Sequence, residues 1–253
     1  MASNPPGQCC VTGFLHEGTP TGETGKIDNI RTYFSYPKQE PSNSSDTAII
    51  FITDVFGMDY INSQLQADRF AESLKSTVVI PDIFNGDAIA SDAFKKGSVD
   101  LDTWLKRHST ESIDPIIETT IRYLREEKGF KNIGAVGYCF GAKYVVRFLE
   151  SGRSQTLDAG YIAHPSFVTH GELAAVQKPL SISASEIDSV FTRQLRYESE
   201  EILAKTGQPW QITVFSGVPH GFAVRVKLEN RHQYWAKEQA FAHAVAWFVE
   251  YLK

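Results

Sequence analysis

Short apolar runs alternate with longer amphipathic segments along most of the chain. The apolar runs are typical of strands buried on both faces, and the segments between them repeat apolar residues at helical spacing. Beyond residue 46 the predicted strands are Thr47–Thr53, Thr77–Pro81, Asn132–Val136, Gly160–Ala163, Leu180–Ala184 and Gln211–Phe215. This alternation predicts an α/β fold with a mostly parallel central sheet and helices on both faces.

Three of the intervening segments have clear helical stripes. One helix is predicted to begin after Asn62. A second is predicted to begin at Asp114-Pro115, with Asp114 as N-cap and the proline as first helical residue, and to end at Lys128-Gly129. The last helix closes the chain with apolar residues at core spacing, namely Phe241, Val245, Phe248 and Leu252.

The first 46 residues have a different character. They are rich in Gly, Thr, Pro and Ser, which predicts turns and a short hairpin rather than helices. The clearest strand there is Ile30–Tyr36, and Pro41–Asp46 is predicted to be a polar loop. We find no internal repeat, low-complexity tract or long linker, so residues 1–253 are expected to form a single domain.

Charge and hydropathy limit the kinds of partner. The net charge of −5 and the absence of a long Lys/Arg run argue against nucleic acid or an anionic membrane, so a small-molecule substrate is expected. The longest apolar runs, such as Ala48–Ile52, fall far short of the roughly 20 residues of a membrane span. The N-terminus has neither a basic start nor an apolar h-region, so a cytoplasmic location is expected. A homodimer is left open.

The cysteines do not indicate a disulfide framework. There are three, an odd number, and two of them are adjacent at Cys9-Cys10, so reduced thiols are expected. The pair is open to metal binding or to a vicinal disulfide, but no C-x-x-C or H-x-x-x-H spacing accompanies it. We therefore expect a structural role for the pair, no metal and no cofactor.

Residues 134–142 are the strongest chemical signal. They are predicted to form a strand, a sharp turn and a helix with Cys139 at the apex, the arrangement called a nucleophile elbow. Such a turn is strained and crowded, and Gly137 and Gly141 provide small residues on either side. The alternative is that Cys139 is only a small buried residue.

An acid and a histidine follow Cys139 in the order that an α/β-hydrolase uses. Asp188 follows the strand Leu180–Ala184, and His220 follows the strand Gln211–Phe215. A thiol is mostly protonated at neutral pH, so His220 would accept its proton while Asp188 fixes the imidazole tautomer. Alternatively, His220 is only a turn histidine and Asp188 only caps the following helix. Glu186 is a second candidate for the acid.

Several motifs together resemble the dienelactone hydrolase family over nearly the whole chain. They are Gly137-Tyr138-Cys139-Phe140-Gly141, Asp54-Val55-Phe56-Gly57, Pro81-Asp82-Ile83-Phe84 and His220-Gly221-Phe222-Ala223, and Cys9–Gly13 with His16-Glu17-Gly18 is similar to fungal members. The resemblance implies one α/β-hydrolase domain over residues 1–253, in which a cysteine attacks an ester or lactone carbonyl and water hydrolyses the acyl-enzyme. It makes Cys139 the nucleophile, His220 the base and Asp188 its orienting acid.

The resemblance also suggests groups around the reacting carbonyl. The backbone N–H groups of Val55 and Phe140 are expected to form the oxyanion hole. Asp54 aligns with a family glutamate that holds the resting cysteine and controls its ionisation. Because Asp54 is one methylene shorter, it either gates the thiol or is a simple turn aspartate.

Substrate contacts depart from the family pattern. Bacterial members hold a substrate carboxylate with arginines, but this chain has no cation at Asn85-Gly86-Asp87, and Arg225 is displaced by one position. Arg225 is expected either to face an anionic substrate or to be a surface arginine. The candidates for an apolar pocket are Phe84, Tyr138, Phe140, Phe222 and Trp104, with ordinary core packing as the alternative.

We therefore expect a cysteine-dependent hydrolase that cleaves an ester, lactone or thioester of a small molecule in fungal secondary metabolism. Two alternatives stay open. One is other carbonyl chemistry in the same site, such as a retro-Claisen or isomerisation step, and the other is a non-catalytic binding module with a hydrolase fold. The Cys-Asp-His order disfavours a cysteine peptidase.

Overall fold

The computed structural model describes residues 1–11, 13–38, 46–90 and 100–252. Within these residues the chain forms an eight-stranded sheet. The strands are β1 (Glu23–Ile27), β2 (Ile30–Ser35), β3 (Thr47–Ile52), β4 (Thr77–Pro81), β5 (Asn132–Tyr138), β6 (Ala159–Ala163), β7 (Leu180–Ile187) and β8 (Trp210–Pro219). Their order across the sheet is β1-β2-β4-β3-β5-β6-β7-β8. The β1–β2 and β2–β4 pairs are antiparallel, and every later pair is parallel.

Helices cover both faces of this sheet. They are α1 (Ile61–Leu74), α2 (Leu101–Arg107), α3 (Thr110–Arg122), α4 (Phe140–Phe148), α5 (His170–Ala174), α6 (Arg193–Leu203) and α7 (Arg231–Tyr251), with a 3₁₀ turn at Gln8–Val11 and a π-helical turn at Tyr123–Glu127. A Cβ at Gly134 would lie 2.9 Å from Phe248 of α7, whereas one at Gly160 would lie 2.7 Å from Val145 of α4. Because side chains alternate along a strand and residues 135 and 160 are paired, α7 and α4 pack on opposite faces. The predicted α/β architecture is confirmed.

All six predicted strands beyond residue 46 are present, and the predicted hairpin is formed by β1 and β2. The predicted start of the second helix is wrong, because α3 begins at Thr110 and Pro115 lies inside it. The extra turn buries Ile113 completely, which offsets the backbone hydrogen bond that the proline cannot donate. Of the predicted loop Pro41–Asp46, residues 41–45 lie outside the described residues.

The sheet brings distant residues to one edge. The parallel strands all end on the same side, and their carboxyl ends lead into Asp54, Cys139, His164 and the loops that carry Asp188 and His220. None of the helices in the described ranges has the length and apolarity needed to cross a membrane.

The N-terminal segment, residues 2–11, lies along this edge. The N–H groups of Ala2 and Ser3 donate to the carbonyl of Val168 at 2.8 and 2.9 Å, and the N–H of Asn4 donates to the carbonyl of Val190 at 2.8 Å. These bonds fix the segment to the loops that follow β6 and β7. As a result Cys10 is completely buried at the carboxyl end of the sheet.

Candidate active site

Cys139 lies at the apex of a tight turn between β5 and α4. Its backbone angles are φ 50° and ψ −110°, a conformation that costs a non-glycine residue conformational energy. A Cβ at Gly137 would lie 2.8 Å from the carbonyl oxygen of Gly141, and one at Gly141 would lie 2.2 Å from the carbonyl oxygen of Ile52. Both positions therefore require glycine, and the predicted strand, turn and helix are confirmed.

His220 and Asp188 lie in direct contact beside this turn. His220 Nδ1 is 2.9 Å and 3.1 Å from the two carboxylate oxygens of Asp188, and both side chains are almost fully buried. Asp188 also accepts hydrogen bonds from the Ser185 hydroxyl at 2.8 Å and from the N–H groups of Val190 and Phe191. The carboxylate therefore holds the proton of the imidazole on Nδ1 and leaves Nε2 free to react.

The alternative assignments for the acid fit the structure less well. The N-cap of α6 is Thr192, so Asp188 does not cap that helix. Glu186 is exposed, and its carboxylate accepts the N–H of Gly217 at 2.7 Å.

Three side chains that the sequence did not suggest lie against the Cys139 thiol. Cys10 contacts Cys139, and its Sγ lies 3.3 Å from His220 Nε2. His164 also lies against Cys139, and its ring centroid is 4.9 Å from that of His220. The Ser166 hydroxyl lies 3.6 Å from Cys139 Sγ.

These neighbours alter the ionisation of the thiol. Burial alone would raise the pKa of Cys139, but the Cys10 thiol and the charge of His220 together hold it well below its ordinary value. Burial would lower the pKa of His220, but the Cys139 thiolate and Asp188 raise it above its ordinary value. Burial lowers the pKa of His164 to about 4, so its ring is neutral near pH 7. Cys139 and His220 thus favour a thiolate and imidazolium pair, and the positive N-terminus of α4 supports the thiolate.

The pKa values of the two N-terminal thiols, Cys9 and Cys10, are shifted in opposite directions. Hydrogen bonds to Cys139 and Cys9, together with burial, raise the pKa of Cys10 well above its ordinary value. The Cys10 thiol in turn lowers the pKa of Cys9 to about 6. Cys10 therefore stays protonated and donates its S–H to a neighbouring sulfur.

Asp54 and Arg225 form a buried ion pair next to the thiol. One Asp54 oxygen also accepts the N–H of Phe56 at 3.1 Å, so Asp54 stabilises the turn that follows β3. The arginine side chain passes between two glycines, since a Cβ at Gly13 would lie 2.3 Å from its Cδ and one at Gly221 would lie 2.6 Å from its Cζ. Arg225 is only 3% exposed, so it is a buried residue and not a surface arginine.

The backbone donors expected around the carbonyl lie at the same edge. Phe140 is the first residue of α4, so its N–H has no acceptor within the helix. The close approach of Gly141 to the carbonyl of Ile52 places the end of β3 against the first turn of α4. Val55 follows that end, and its carbonyl accepts the N–H of Ile89 at 2.9 Å, which fixes the peptide after the expected donor N–H.

A cavity of about 420 Å³ opens beside His220. Phe222 and Arg225 line it, together with Cys9 and Phe14. The other aromatic candidates pack against one another or the core. Phe84 lies 5.4 Å from Phe140 and 4.9 Å from Trp104, and Tyr138 lies 5.0 Å from Phe51, measured between ring centroids.

Comparison with known proteins identifies the family. The sequence model of the dienelactone hydrolase family matches residues 30–252. The chain belongs to the dienelactone hydrolase family. It is 47% identical to Hydrolase pyvD of Aspergillus violaceofuscus over the full length of both chains. It is also 32% identical to Dienlactone hydrolase 1 of Gibberella moniliformis, covering 98% of this chain and 94% of the relative.

Solved structures agree with this assignment at the level of the fold. A dienelactone hydrolase from Anabaena variabilis superposes with a TM-score of 0.66 at 12% identity, covering 94% of this chain and 100% of the other. An esterase from Thermogutta terrifontis gives a TM-score of 0.65 at 17% identity, covering 91% and 94% of the two chains. The protein is thus a hydrolase of the dienelactone hydrolase family with an α/β-hydrolase fold.

His164 and Cys10, two of the unexpected neighbours of the thiol, differ in how far the sequence indicates their position. His164 directly follows β6, the strand beside β5, so its place at the reactive edge follows from the strand order of the dienelactone hydrolase fold. Cys10 precedes β1, and no strand leads to it. Only the docking of the N-terminal segment brings it to His220.

Proposed function

We propose that this hydrolase cleaves an ester, lactone or thioester of a small molecule through an acyl-enzyme on Cys139. The observation that carries the proposal is the position of Cys139 on a strained turn, beside an imidazole whose Nδ1 is bonded to Asp188, and this setting holds the pKa of the thiol below its ordinary value. A thiolate is a strong nucleophile, and an adjacent imidazolium is a proton donor for the leaving group. Membership of the dienelactone hydrolase family supports the same reaction class.

In the first half-reaction the Cys139 thiolate attacks the carbonyl carbon and forms a C–S bond. The oxygen then carries the negative charge and accepts hydrogen bonds from the N–H groups of Val55 and Phe140. When the intermediate collapses, the bond to the leaving group breaks and His220 Nε2 donates its proton to that group. Loss of one such N–H donor typically slows an enzyme by about 10²–10³-fold.

In the second half-reaction water attacks the acyl thioester. Neutral His220 accepts a proton from the water at Nε2, and the collapse of the second intermediate expels Cys139 as a thiolate. Asp188 keeps the ring oriented and stabilises the imidazolium that forms in each half-reaction. The cycle returns the thiolate and imidazolium pair.

We assign the cavity beside His220 to the part of the substrate that extends away from the reacting carbonyl, because His220 lines it and Cys139 does not. Its volume of about 420 Å³ is in the range of ordinary small-molecule sites. Arg225 lines this cavity but already has Asp54 as its counter-ion, so it does not offer a fully free positive charge. We therefore include neutral esters and lactones, such as those of fungal secondary metabolism, in the substrate class.

The test is hydrolysis of p-nitrophenyl acetate, an unsaturated lactone carboxylate and an acyl thioester by wild type and by Cys139→Ala. We expect Cys139→Ala to lower kcat/KM by at least about 10³-fold. Mass spectrometry of the quenched wild-type reaction is expected to find an acyl group on Cys139.

A matched pair of variants tests the acid. Asp188→Asn is expected to lower kcat by about 10⁴-fold, because the wrong imidazole tautomer then faces the thiol. Glu186→Gln is expected to keep the wild-type rate, because Glu186 is bonded to Gly217 at the surface. Wild-type rates in Cys139→Ala, or equal losses in the two acid variants, would contradict the proposal.

A further inference from the structure

Two adjacent cysteines and a histidine converge at the mouth of the site. Cys9 and Cys10 lie on the 3₁₀ turn Gln8–Val11, and their sulfurs and a ring nitrogen of His220 all lie within 4.8 Å of one another. Cys10 Sγ is 3.3 Å from His220 Nε2. The function proposed above uses neither Cys9 nor Cys10.

The spacing of these atoms suits a tetrahedral metal ion. With Zn–S bonds of about 2.3 Å and Zn–N bonds of about 2.0 Å, two ligand atoms of a tetrahedral zinc ion are roughly 3.5–3.8 Å apart. The separation of 3.3 Å between Cys10 Sγ and His220 Nε2 is close to this range, and the other separations, which are at most 4.8 Å, exceed it by no more than roughly 1.3 Å. Two thiolates and an imidazole are also the ligands that soft divalent ions prefer.

Hydrogen bonds from neighbouring groups fix the positions of the proposed ligands. Asp188 bonds to His220 Nδ1 at 2.9 Å, which orients the ring so that Nε2 faces Cys10. A carboxylate behind a histidine is the usual second layer of support in metal sites. On the other side the Arg225 guanidinium donates to the carbonyl of Cys9 at 3.4 Å, and Cys10 N–H donates to Gly7 at 2.9 Å.

The surrounding charges permit a cation. Arg225 is a buried cation beside the cluster, and Asp54 neutralises it. Two thiolates would balance the double charge of Zn²⁺. The cavity of about 420 Å³ that Cys9 and His220 line provides a route of entry.

We propose that Cys9, Cys10 and His220 form a binding site for a soft divalent metal ion, Zn²⁺, and that the bound ion inhibits the hydrolase. Any ligand atom that still carries a proton gives it up when the metal binds, so binding releases protons to solvent. The metal takes Nε2, the atom that moves the proton in the proposed reaction, so hydrolysis stops until the ion leaves. The inhibition rests on the function proposed above, whereas the binding does not.

Binding is tested on the full chain after reduction with a phosphine and removal of metals with EDTA. Titration with Cd²⁺ is expected to give a thiolate-to-metal charge-transfer band in the ultraviolet that saturates at one ion per chain. Co²⁺ is expected to give the visible absorption of a tetrahedral site. Cys9→Ser and Cys10→Ser are each expected to weaken binding by more than about tenfold.

Cys139→Ala is the matched thiol control, because it removes a neighbouring cysteine but leaves the three proposed ligands in place. It is expected to keep the charge-transfer band and the 1:1 stoichiometry. Absence of the band in wild type, or its loss in Cys139→Ala but not in Cys9→Ser, would overturn the site. Circular dichroism of each variant confirms that a lost band does not reflect unfolding.

Inhibition is tested with Zn²⁺ in the p-nitrophenyl acetate assay. We expect wild type to be inhibited and EDTA to restore its rate, and we expect Cys9→Ser to need at least tenfold more Zn²⁺ for half-inhibition of its own metal-free rate. Binding without inhibition would overturn the inhibitory role. If wild type cleaves no ester, the proposed function fails while the Cd²⁺ titration still decides the metal site.

Discussion

Replacing Gly141 by alanine tests how tightly the elbow is packed. An ideal Cβ at this position would lie 2.2 Å from the carbonyl oxygen of Ile52 and 2.6 Å from that of Thr53. Ordinary contacts to a Cβ begin at 3.4 Å, so the shortfall at Ile52 is 3.4 − 2.2 = 1.2 Å. The atoms in the way are backbone atoms, which cannot rotate aside as a side chain can.

Neither partner can move away without loss. Ile52 is the last residue of β3 and is paired with Gly137 of β5, so the strand is fixed. Helix α4 would therefore have to shift by about 1 Å. That shift would disturb the packing of Val145 and Val146, which are completely buried. Overpacking of this kind costs about 1–3 kcal/mol and occasionally more. For a chain of this size a loss of about 3 kcal/mol lowers the melting temperature by roughly 6–12 °C.

The same shift moves the thiol, because Cys139 is the residue that precedes α4. A displacement of about 1 Å at a reacting group can lower the rate by about 10²-fold. The assay is therefore thermal unfolding followed by circular dichroism, together with kcat/KM for p-nitrophenyl acetate. Gly141→Ala is expected to lose both stability and rate.

Gly171→Ala is the matched control. Gly171 lies in α5, and the nearest atom to its Cβ would be the Thr169 hydroxyl at 4.0 Å. Alanine in a helix is expected to leave stability unchanged or raise it by up to about 1 kcal/mol. If Gly141→Ala has the same melting temperature and the same kcat/KM as Gly171→Ala, the argument from close packing at the elbow is refuted.

Two further predictions follow from the site and the core. The rate of Cys139 alkylation by iodoacetamide, followed by peptide mass spectrometry, is expected to stay high at neutral pH and to fall only as the pH drops through the lowered pKa of Cys139. His220→Ala removes a cation that lowers this pKa, so it is expected to move the midpoint to higher pH, and an unchanged midpoint would argue against a thiolate pair. Tyr161→Phe removes a buried hydroxyl that donates to the carbonyl of Ala240 at 2.8 Å. The free energy of unfolding, measured by urea denaturation, is therefore expected to fall by about 1–2 kcal/mol.

Local patterns predicted most of the architecture. The strands were recognisable because residues such as Ile49 and Ile50 are apolar on both faces of the sheet, and the elbow was recognisable because Gly137 and Gly141 flank a cysteine. The start of α3 was misjudged at Pro115. Proline is common at the first helical position, but here the burial of Ile113 extends the helix to residues that precede Pro115.

The surroundings of the thiol were less predictable from local sequence. Arg225 and Asp54 are separated by 171 positions, and Cys10 and His220 by 210 positions. Pairs so distant meet only through the complete topology. The buried position of Arg225 also depends on Gly13 and Gly221, neither of which signals an arginine by itself.

The docking of the N-terminal segment has a consequence for biosynthesis. Residues 2–4 leave the ribosome long before Val168 and Val190, whose carbonyls hold them in the folded protein. His220, which contacts Cys10, is made later still. Cys9 and Cys10 are therefore unshielded thiols until those later residues have emerged, and the reactive edge is completed only after His220 has left the ribosome.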